Sequence, residues 1–375
     1  MADILTHLRE ISFGYSILKG GNINFNDSPG TFLEFCKSNI KNCEFLTRNQ
    51  ISAKSTKFSS EELSTISNGL KLGKFIIDNG IINSNTSNVK WLGNATQSGT
   101  AFDIEIDNIP FSLKEDSFIL HNMGLYQLVN IITDKVIYKR GLHIFEEFAP
   151  QELDQWFKKT RDIVIAKLKE GSFRTEDRQR KNIKLAYTEG KLYLFYNGLE
   201  LKVDNFSECN YERFKKEIKG VLKEKVFSKF INQEISSCNE YLKAKKHCAE
   251  KAGENFVKFL KDNVIENPSP KSLFNLFRIT DSNYYYAKTT NNYIEVYNIP
   301  SKNEFLNKIK ITDISYTVPD SQLNLFTTIE NTETGEKLIV RNELRYSHGQ
   351  LNGTPEAKMY ISEGSLLIAY QPIDT

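Results

Sequence analysis

Two carboxylates, a hydroxyl group and an ammonium group lie close together in one short stretch of the chain. They belong to Asp103, Glu105, Ser112 and Lys114. Carboxylate oxygens are the ligands that Mg²⁺ prefers in proteins, and the ion usually keeps several of its waters. A bound cation can activate one of those waters and neutralise the charge that develops on a phosphate group. A neighbouring lysine can orient the attacking water, so these residue types are suited to the hydrolysis of phosphodiesters with Mg²⁺.

The stretch that carries these residues reads TAFDIEIDNIPFSLKEDSF and predicts a β-hairpin. Apolar and polar residues alternate with the period of two that is typical of strands, and Asp107-Asn108 is a favourable two-residue turn. With that turn, Asp103 faces Ser112 across the hairpin. The four polar side chains then share one face, because side chains alternate between the two faces of a strand. Burying such a cluster costs free energy, so its presence favours a chemical role.

This hairpin resembles the active-site hairpin of the PD-(D/E)xK, or restriction-endonuclease-like, nuclease superfamily. Asp103 matches the first aspartate of the family pattern and Lys114 matches its lysine, whereas Ser112 stands in the place of the second acid. Some restriction enzymes show a similar Ser-x-Lys and supply the missing carboxylate from elsewhere, usually from a helix. In this chain Glu62, on the helix expected before the hairpin, or Glu105, on the hairpin itself, could supply it.

The resemblance implies a Mg²⁺-dependent endonuclease that cuts double-stranded DNA, most similar to a type II restriction enzyme. Asp103 would bind the metal ion together with Glu62 or Glu105. Lys114 would orient the attacking water, and Ser112 would hold a water or a phosphate oxygen. Because two strands must be cut, a homodimer is expected. The alternatives are a repair or phage-defence nuclease without sequence specificity, and a non-catalytic DNA-binding or structural protein whose hairpin is an exposed sheet face.

The elements that must position the hairpin are predicted from the rest of the pattern. Residues 1–90 are expected to be mainly helical, with one helix that begins after an N-cap at Ser59 or Ser60 and ends near Gly80. Gly69 and Gly73 lie inside this helix and are expected to weaken it. The resemblance implies an α/β (α+β) fold, in which a restriction-endonuclease-like mixed sheet is flanked by helices.

The length of the chain predicts two or three domains. Residues 1–205 would form the nuclease core, residues 206–270 a helical connector, and residues 271–375 a β-rich domain that recognises DNA. The boundary before the last domain is placed at Pro268 and Pro270, which disfavour a continuing helix.

A basic segment within residues 158–184 is a first candidate for contact with DNA. The formal net charge of the whole chain is only +2, so attraction to nucleic acid must come from local patches. Lysines and arginines outnumber carboxylates in this segment, as contacts with phosphates would favour. The candidate residues are Arg174, Arg178, Arg180 and Lys181. A solvated helix face followed by a loop is the alternative interpretation.

A polar segment within residues 340–360 is a second candidate for contact with DNA. Arg pairs with guanine, Asn or Gln with adenine, and Glu with cytosine, so the residue types found here can read base edges. The candidate residues are Arg341, Asn342, Glu343, Arg345, His348, Gln350 and Asn352. A polar β-turn region without a ligand is the alternative.

The composition disfavours several other classes of protein. The chain has 375 residues, of which 39% are hydrophobic and 26% charged, so it can bury a core. No apolar run approaches the ~20 residues of a membrane span. Asp3, Arg9 and Glu10 interrupt the apolar N-terminal stretch, so no signal peptide is expected. The five cysteines form no CxxC pair, which disfavours a zinc site or a disulfide framework. A cytoplasmic, bacterial or viral protein without membrane contact is expected.

Overall fold

The computed structural model gives the protein a mixed α/β structure with several β-sheets. It describes residues 4–43, 57–93, 102–115, 119–173, 183–196, 198–218, 227–228, 231, 234–266, 269–277, 279–305, 309–345, 355–363 and 371–372. The chain divides into two compact units. Unit 1 comprises Met1–Phe118, Phe277–Leu306 and Ser365–Thr375, and unit 2 comprises Ile119–Leu276 and Asn307–Gly364.

Unit 1 contains a mixed sheet with helices packed against it. Its helices are α1 (Ile4–Leu18), α2 (Pro29–Asn39), α3 (Ser60–Asp78) and the short α10 (Lys302–Phe305). Its strands are β1 (Ile40–Lys41), β2 (Val89–Trp91), β3 (Ile104–Ile106), β4 (Ile109–Lys114), β9 (Tyr284–Thr289), β10 (Ile294–Ile299) and β15 (Gln371–Pro372). They pair in the order β1-β2-β3-β4-β9-β10-β15, with β1–β2 and β4–β9 parallel and the other pairs antiparallel.

In its described residues, unit 2 combines helices with two antiparallel sheets. Its helices are α4 (Leu125–Thr133), α5 (Ile144–Phe148), α6 (Pro150–Lys169), α7 (Tyr211–Ile218), α8 (Asn239–Val264) and α9 (Pro270–Phe277), the last of which ends at the first residue of the return to unit 1. One sheet has the order β11-β12-β13-β14-β5 and the other the order β6-β7-β8. The strands are β5 (Ile119–Gly124), β6 (Ile183–Thr188), β7 (Lys191–Tyr196), β8 (Leu199–Val203), β11 (Ile309–Thr317), β12 (Asn324–Asn331), β13 (Lys337–Arg345) and β14 (Glu356–Glu363).

The two units correct the linear division into 1–205, 206–270 and 271–375. Strands β4 and β9 are parallel neighbours, and a parallel pair needs a crossover connection. Here the chain leaves unit 1 after β4 and returns to it just before β9. The segment expected to be a connector contains α8, which packs on β11 within unit 2. Non-local strand pairing of this kind leaves no local signature in the sequence.

Helices α1 and α3 pack closely against each other, and both contact the sheet of unit 1. Gly69 and Gly73, expected to weaken α3, lie where α1 crosses it. A Cβ atom added at Gly73 would be 2.5 Å from Ser16 Cβ, and one at Gly69 would be 2.7 Å from the carbonyl oxygen of Arg9. Ser16 Oγ donates a hydrogen bond to the carbonyl oxygen of Leu70 at this contact. The two glycines therefore allow the helices to approach closely.

The start of α3 is as the sequence predicts. Ser59 Oγ accepts a hydrogen bond from the Glu62 amide at 3.2 Å, and Glu62 Oε2 accepts one from the Ser59 amide at 2.7 Å. This reciprocal capping box satisfies two amides that a helix start leaves without partners. Within the described part of the chain, every helix is too short or too polar to span a bilayer.

Candidate active site

The hairpin forms with the register that its sequence predicts. Ile104 on β3 pairs with Phe111 on β4 across the two-residue turn Asp107-Asn108. The φ angles of the two turn residues are 49° and 67°, and positive values at both positions are typical of a type I′ turn. Asp103, Ser112 and Lys114 therefore lie at the open end of the hairpin.

Asp103 is the centre of the polar contacts at this end. Its Oδ2 atom accepts hydrogen bonds from the Leu113 amide at 2.6 Å, Ser112 Oγ at 3.3 Å and Lys114 Nζ at 3.4 Å. Its Oδ1 atom accepts no hydrogen bond from any residue that the structure describes. Among the described residues, Asp103 is thus held through Oδ2 alone.

The surroundings of this cluster differ from those of an ordinary exposed strand. Ser112 is 2% exposed, and the side chains of Asp103 and Lys114 are 21% and 27% exposed. An ion pair at this depth is less screened by solvent than a surface pair. The partial burial of Asp103 and Lys114 disfavours the alternative in which these residues lie on a fully solvated sheet face.

A carboxylate that the sequence did not single out for chemistry, Glu10 of α1, lies at the same end of the sheet. Its Oε2 atom accepts a hydrogen bond of 2.7 Å from Nε1 of Trp91, the last residue of β2. Glu10 is 3% exposed. One turn further along α1, the Phe13 ring packs edge-on against the Phe111 ring of β4, with 5.2 Å between the ring centroids. This contact fixes the helix against the sheet.

The electrostatics of Glu10 connect it to the hairpin. Burial, followed by the negative charge of Asp103, raises the pKa of Glu10 to about 8. The hydrogen bond from Trp91 and the positive charges of Lys114 and Arg9 act in the opposite direction. Glu10 is therefore near enough to both ends of the Asp103–Lys114 pair to respond to their charges.

Glu62 and Glu105, the carboxylates expected to complete the site, are placed differently from Glu10. Glu62 is engaged in the capping box of α3. Glu105 lies mid-strand, between Lys90 of β2 and Pro110 of β4. Among the described residues, no hydrogen bond or ion pair joins either carboxylate to Asp103. The signal in the sequence was a carboxylate next to Arg9 in a predominantly apolar helical stretch, since such a group is rarely buried without a partner.

Arg9 ties α1 to the end of β4. Its Nη2 atom lies 2.6 Å from Oε2 of Glu115, the residue after Lys114. The Arg9 side chain is 5% exposed, whereas that of Glu115 is 57% exposed. This contact positions the turn of α1 that carries Glu10 beside the strand that carries Lys114.

Strand β9 extends the polar face beyond the hairpin. In the parallel β4–β9 pair, Ser112 is opposite Tyr286 and Lys114 is opposite Lys288. Both β9 side chains are buried, and Lys288 Nζ lies 2.6 Å from Oε2 of Glu295 on β10. Burial raises the pKa of Tyr286, and the charge of Asp103 contributes to the same shift. Tyr286 therefore lies beside the Asp103 cluster and lines its side toward β9.

The predicted DNA-contact residues on β13 separate by face. Arg341, Glu343 and Arg345 project to one face, where Glu343 Oε1 accepts hydrogen bonds from Gln322 at 2.7 Å and from Arg345 at 2.9 Å. Asn342 projects to the opposite face and is 0% exposed. Its assignment as a base-reading residue is corrected, because a fully buried amide cannot reach a base edge.

The remaining predicted DNA contacts lie outside the described residues. They are Arg174, Arg178, Arg180, Lys181, His348, Gln350 and Asn352. Arg341, which is described, stacks its guanidinium over the Tyr360 ring, 4.9 Å from the ring centroid. Arg345 is half exposed on the same face.

Comparison with known proteins adds no relative to this description. No protein-family model, curated protein or solved structure matches the chain. Nor does the described part of the chain bring together three or more His, Cys, Asp or Glu side chains as a metal-binding group. The two carboxylates, the lysine and their surroundings are therefore the features that bear on function.

Proposed function

We propose that the protein is a Mg²⁺-dependent endonuclease that hydrolyses phosphodiester bonds of double-stranded DNA. The observation that carries the proposal is the convergence of Asp103 from β3, Lys114 from β4 and Glu10 from α1 at one end of a mixed sheet. Enzymes with a Ser-x-Lys variant of the hairpin that this chain resembles usually take their missing carboxylate from a helix. Glu10 is such a helix carboxylate.

The residues present fit a divalent cation. Oδ1 of Asp103 and Oε1 of Glu10 accept no hydrogen bond from the described residues, so each carboxylate has an oxygen to offer. The raised pKa of Glu10 reports first the cost of burying its charge and then the cost of a second negative charge beside Asp103. A cation would relieve that cost. Mg²⁺ is commonly held by only one or two carboxylates, together with waters and substrate phosphates.

Each side chain then has a defined task. Mg²⁺, when bound, supplies Lewis-acid activation of water and neutralises charge on the phosphate. Asp103 and Glu10 would hold it. Lys114, partly exposed and anchored to Asp103, presents an ammonium group that can orient a water or stabilise phosphate charge. Ser112 is almost fully buried and hydrogen-bonds to Asp103, so it positions that carboxylate and does not contact the substrate.

The resemblance of the hairpin to restriction endonucleases supports a more specific proposal, that the protein is a type II restriction enzyme. A type II restriction enzyme recognises a short DNA sequence and cuts both strands. A homodimer would supply two active sites related by twofold symmetry. Arg341, Glu343 and Arg345 are residue types that read base edges, and they share one face of β13.

The direct test is cleavage of duplex DNA by the purified protein with MgCl₂ and with EDTA. Asp103→Asn, Lys114→Ala and Glu10→Gln should each abolish Mg²⁺-dependent cleavage of a plasmid. The matched controls are Glu62→Gln and Glu105→Gln, which alter the carboxylates that lie apart from the cluster. These controls should keep wild-type cleavage, and Gln at position 62 can still cap α3.

Sequencing the ends made from random-sequence DNA tests the restriction assignment separately. Clustered ends around one short sequence are expected. A uniform distribution of ends, with activity still lost in Asp103→Asn, would support the nuclease assignment but reject sequence specificity. Wild-type activity in Asp103→Asn would reject the assignment of the site.

A further inference from the structure

The small antiparallel sheet β6-β7-β8 in unit 2 has one buried face and one open face. Leu185, Leu192 and Leu194 are each 1% exposed and form the buried face. The alternation places Tyr193 and Phe195 of β7 on the other face, where both are partly exposed. The two rings are therefore not required to fill the core under this sheet.

Tyr193 and Phe195 form a pair of nearly parallel rings. Their centroids are 6.3 Å apart, and their planes differ by 11°. Tyr193 is opposite Ala186 on β6, whose side chain is too small to cover a ring. The pair therefore presents aromatic surface along the strand, at a spacing that suits successive planar groups.

Lysines surround the two rings on this open face. Lys184 of β6 is opposite Phe195, and Lys202 of β8 is opposite Tyr193. Lys191 begins β7 and has the same parity as the two aromatic residues. Among the described residues, the acidic ones on this face are Glu200, opposite Phe195, and Asp204, which lies 3.1 Å from Lys202. The described residues of the face, three lysines against two carboxylates, thus carry a formal charge of +1 around an aromatic centre.

We infer that this open face binds an unpaired DNA strand, with two of its bases stacked on Tyr193 and Phe195 and its phosphates near the lysines. Aromatic rings within a positive surface are the usual means of binding single strands without sequence preference. A duplex keeps its bases stacked on one another, so it cannot use the rings in this way. The choice of DNA over RNA rests on the proposed function, whereas the binding surface itself does not depend on it.

Fluorescence anisotropy with a labelled oligothymidylate of roughly 15 nucleotides tests the inference. The measurement is made in EDTA, so that it does not depend on cleavage. The wild-type protein should bind this strand. Tyr193→Leu and Phe195→Leu should each weaken binding about tenfold, because leucine keeps an apolar side chain but removes the ring. Tyr193→Phe should bind like the wild type.

Two further variants distinguish the loss of ring stacking from a loss of positive charge and from a general effect of removing an aromatic residue. Tyr138→Leu is the matched control, since Tyr138 is a partly exposed aromatic residue of unit 2 whose hydroxyl donates to Glu147. It should leave binding unchanged. Lys184→Gln should lower the slope of log Kd against log salt concentration by roughly 0.7. Circular dichroism melts of every variant establish that it is folded.

Three results would overturn the inference. The first is no binding by the wild-type protein in EDTA. The second is unchanged binding by folded Tyr193→Leu and Phe195→Leu together, which would identify the face as a contact for another class of partner. The third is equal or tighter binding of the matching RNA strand, which would reject DNA as the occupant. Loss of cleavage in Asp103→Asn with intact strand binding would leave the inference standing, so the two proposals fail separately.

Discussion

Glu10 of α1 and Asp103 of β3 are two carboxylates that the fold brings to one end of a sheet, where burial and the charge of Asp103 raise the pKa of Glu10 to about 8. Such an arrangement costs stability when no cation is present. Sites that bind or react with charged ligands often contain groups with shifted pKa values. The pair therefore predicts both the pH dependence of folding and the response to Mg²⁺.

The first prediction concerns stability against pH. In the unfolded chain Glu10 regains an ordinary pKa near 4.5, whereas in the folded protein it holds its proton up to about pH 8. The contribution of this group to stability is therefore full below pH 4.5 and is lost as the pH rises through 8. Glu10→Gln should be more stable than the wild type at pH 9, by on the order of 3–5 kcal/mol, and should differ little at pH 4. Urea unfolding at both pH values measures this, and equal differences at the two would contradict it.

The second prediction concerns the metal requirement of cleavage. Glu10→Asp keeps the charge but withdraws the carboxylate by one methylene group, so it should raise the MgCl₂ concentration for half-maximal cleavage about tenfold or more. Asp103→Asn should lower the rate by at least ~10²-fold at saturating MgCl₂. Glu105→Asp is the control for shortening a nearby carboxylate, and it should leave the MgCl₂ dependence unchanged. A parallel shift in Glu105→Asp would indicate that the hairpin carboxylate, and not Glu10, takes part.

The third prediction concerns the contact between α1 and α3. An exposed Gly→Ala change inside a helix normally stabilises by up to ~1 kcal/mol. Gly73→Ala should instead destabilise the protein by roughly 1–3 kcal/mol, since the added Cβ would meet Ser16. Lys71→Ala, at an exposed position of the same helix, is the control and should change stability by less than ~0.5 kcal/mol. A stabilised Gly73→Ala variant would show that the helices are not closely packed there.

The fourth prediction concerns Asn342 on β13. Its amide nitrogen and oxygen are buried and form no hydrogen bond with the described residues. An unsatisfied buried polar group costs about 1–3 kcal/mol. Asn342→Leu, which is similar in volume, should therefore maintain or increase the free energy of unfolding and leave DNA affinity unchanged. Arg345→Ala, on the open face of the same strand, should lower DNA affinity if that face reads bases. A loss of DNA affinity in Asn342→Leu but not in Arg345→Ala would contradict the assignment of faces.

Local sequence patterns were enough to predict the hairpin, its register and the start of α3. The alternation around Asp107-Asn108 predicted the hairpin and its register, and the structure confirms both. Ser59 and Ser60 predicted the start of α3 through an N-cap, and the structure places that cap at Ser59. These predictions succeed because strand alternation, turn geometry and helix capping are set within a few residues.

Tertiary structure decided which distant groups join the hairpin. The sequence placed Asp103, Ser112 and Lys114 together, but it favoured Glu62 and Glu105 because they are near in sequence or on the same hairpin. Glu10 reaches the cluster only because α1 packs against both α3 and the sheet, which depends on contacts between segments far apart in the chain. The parallel pairing of β4 with β9 across the whole of α4 to α9 is decided in the same way. Non-local packing of this kind follows from the shapes of complete surfaces, and no short stretch of residues specifies it.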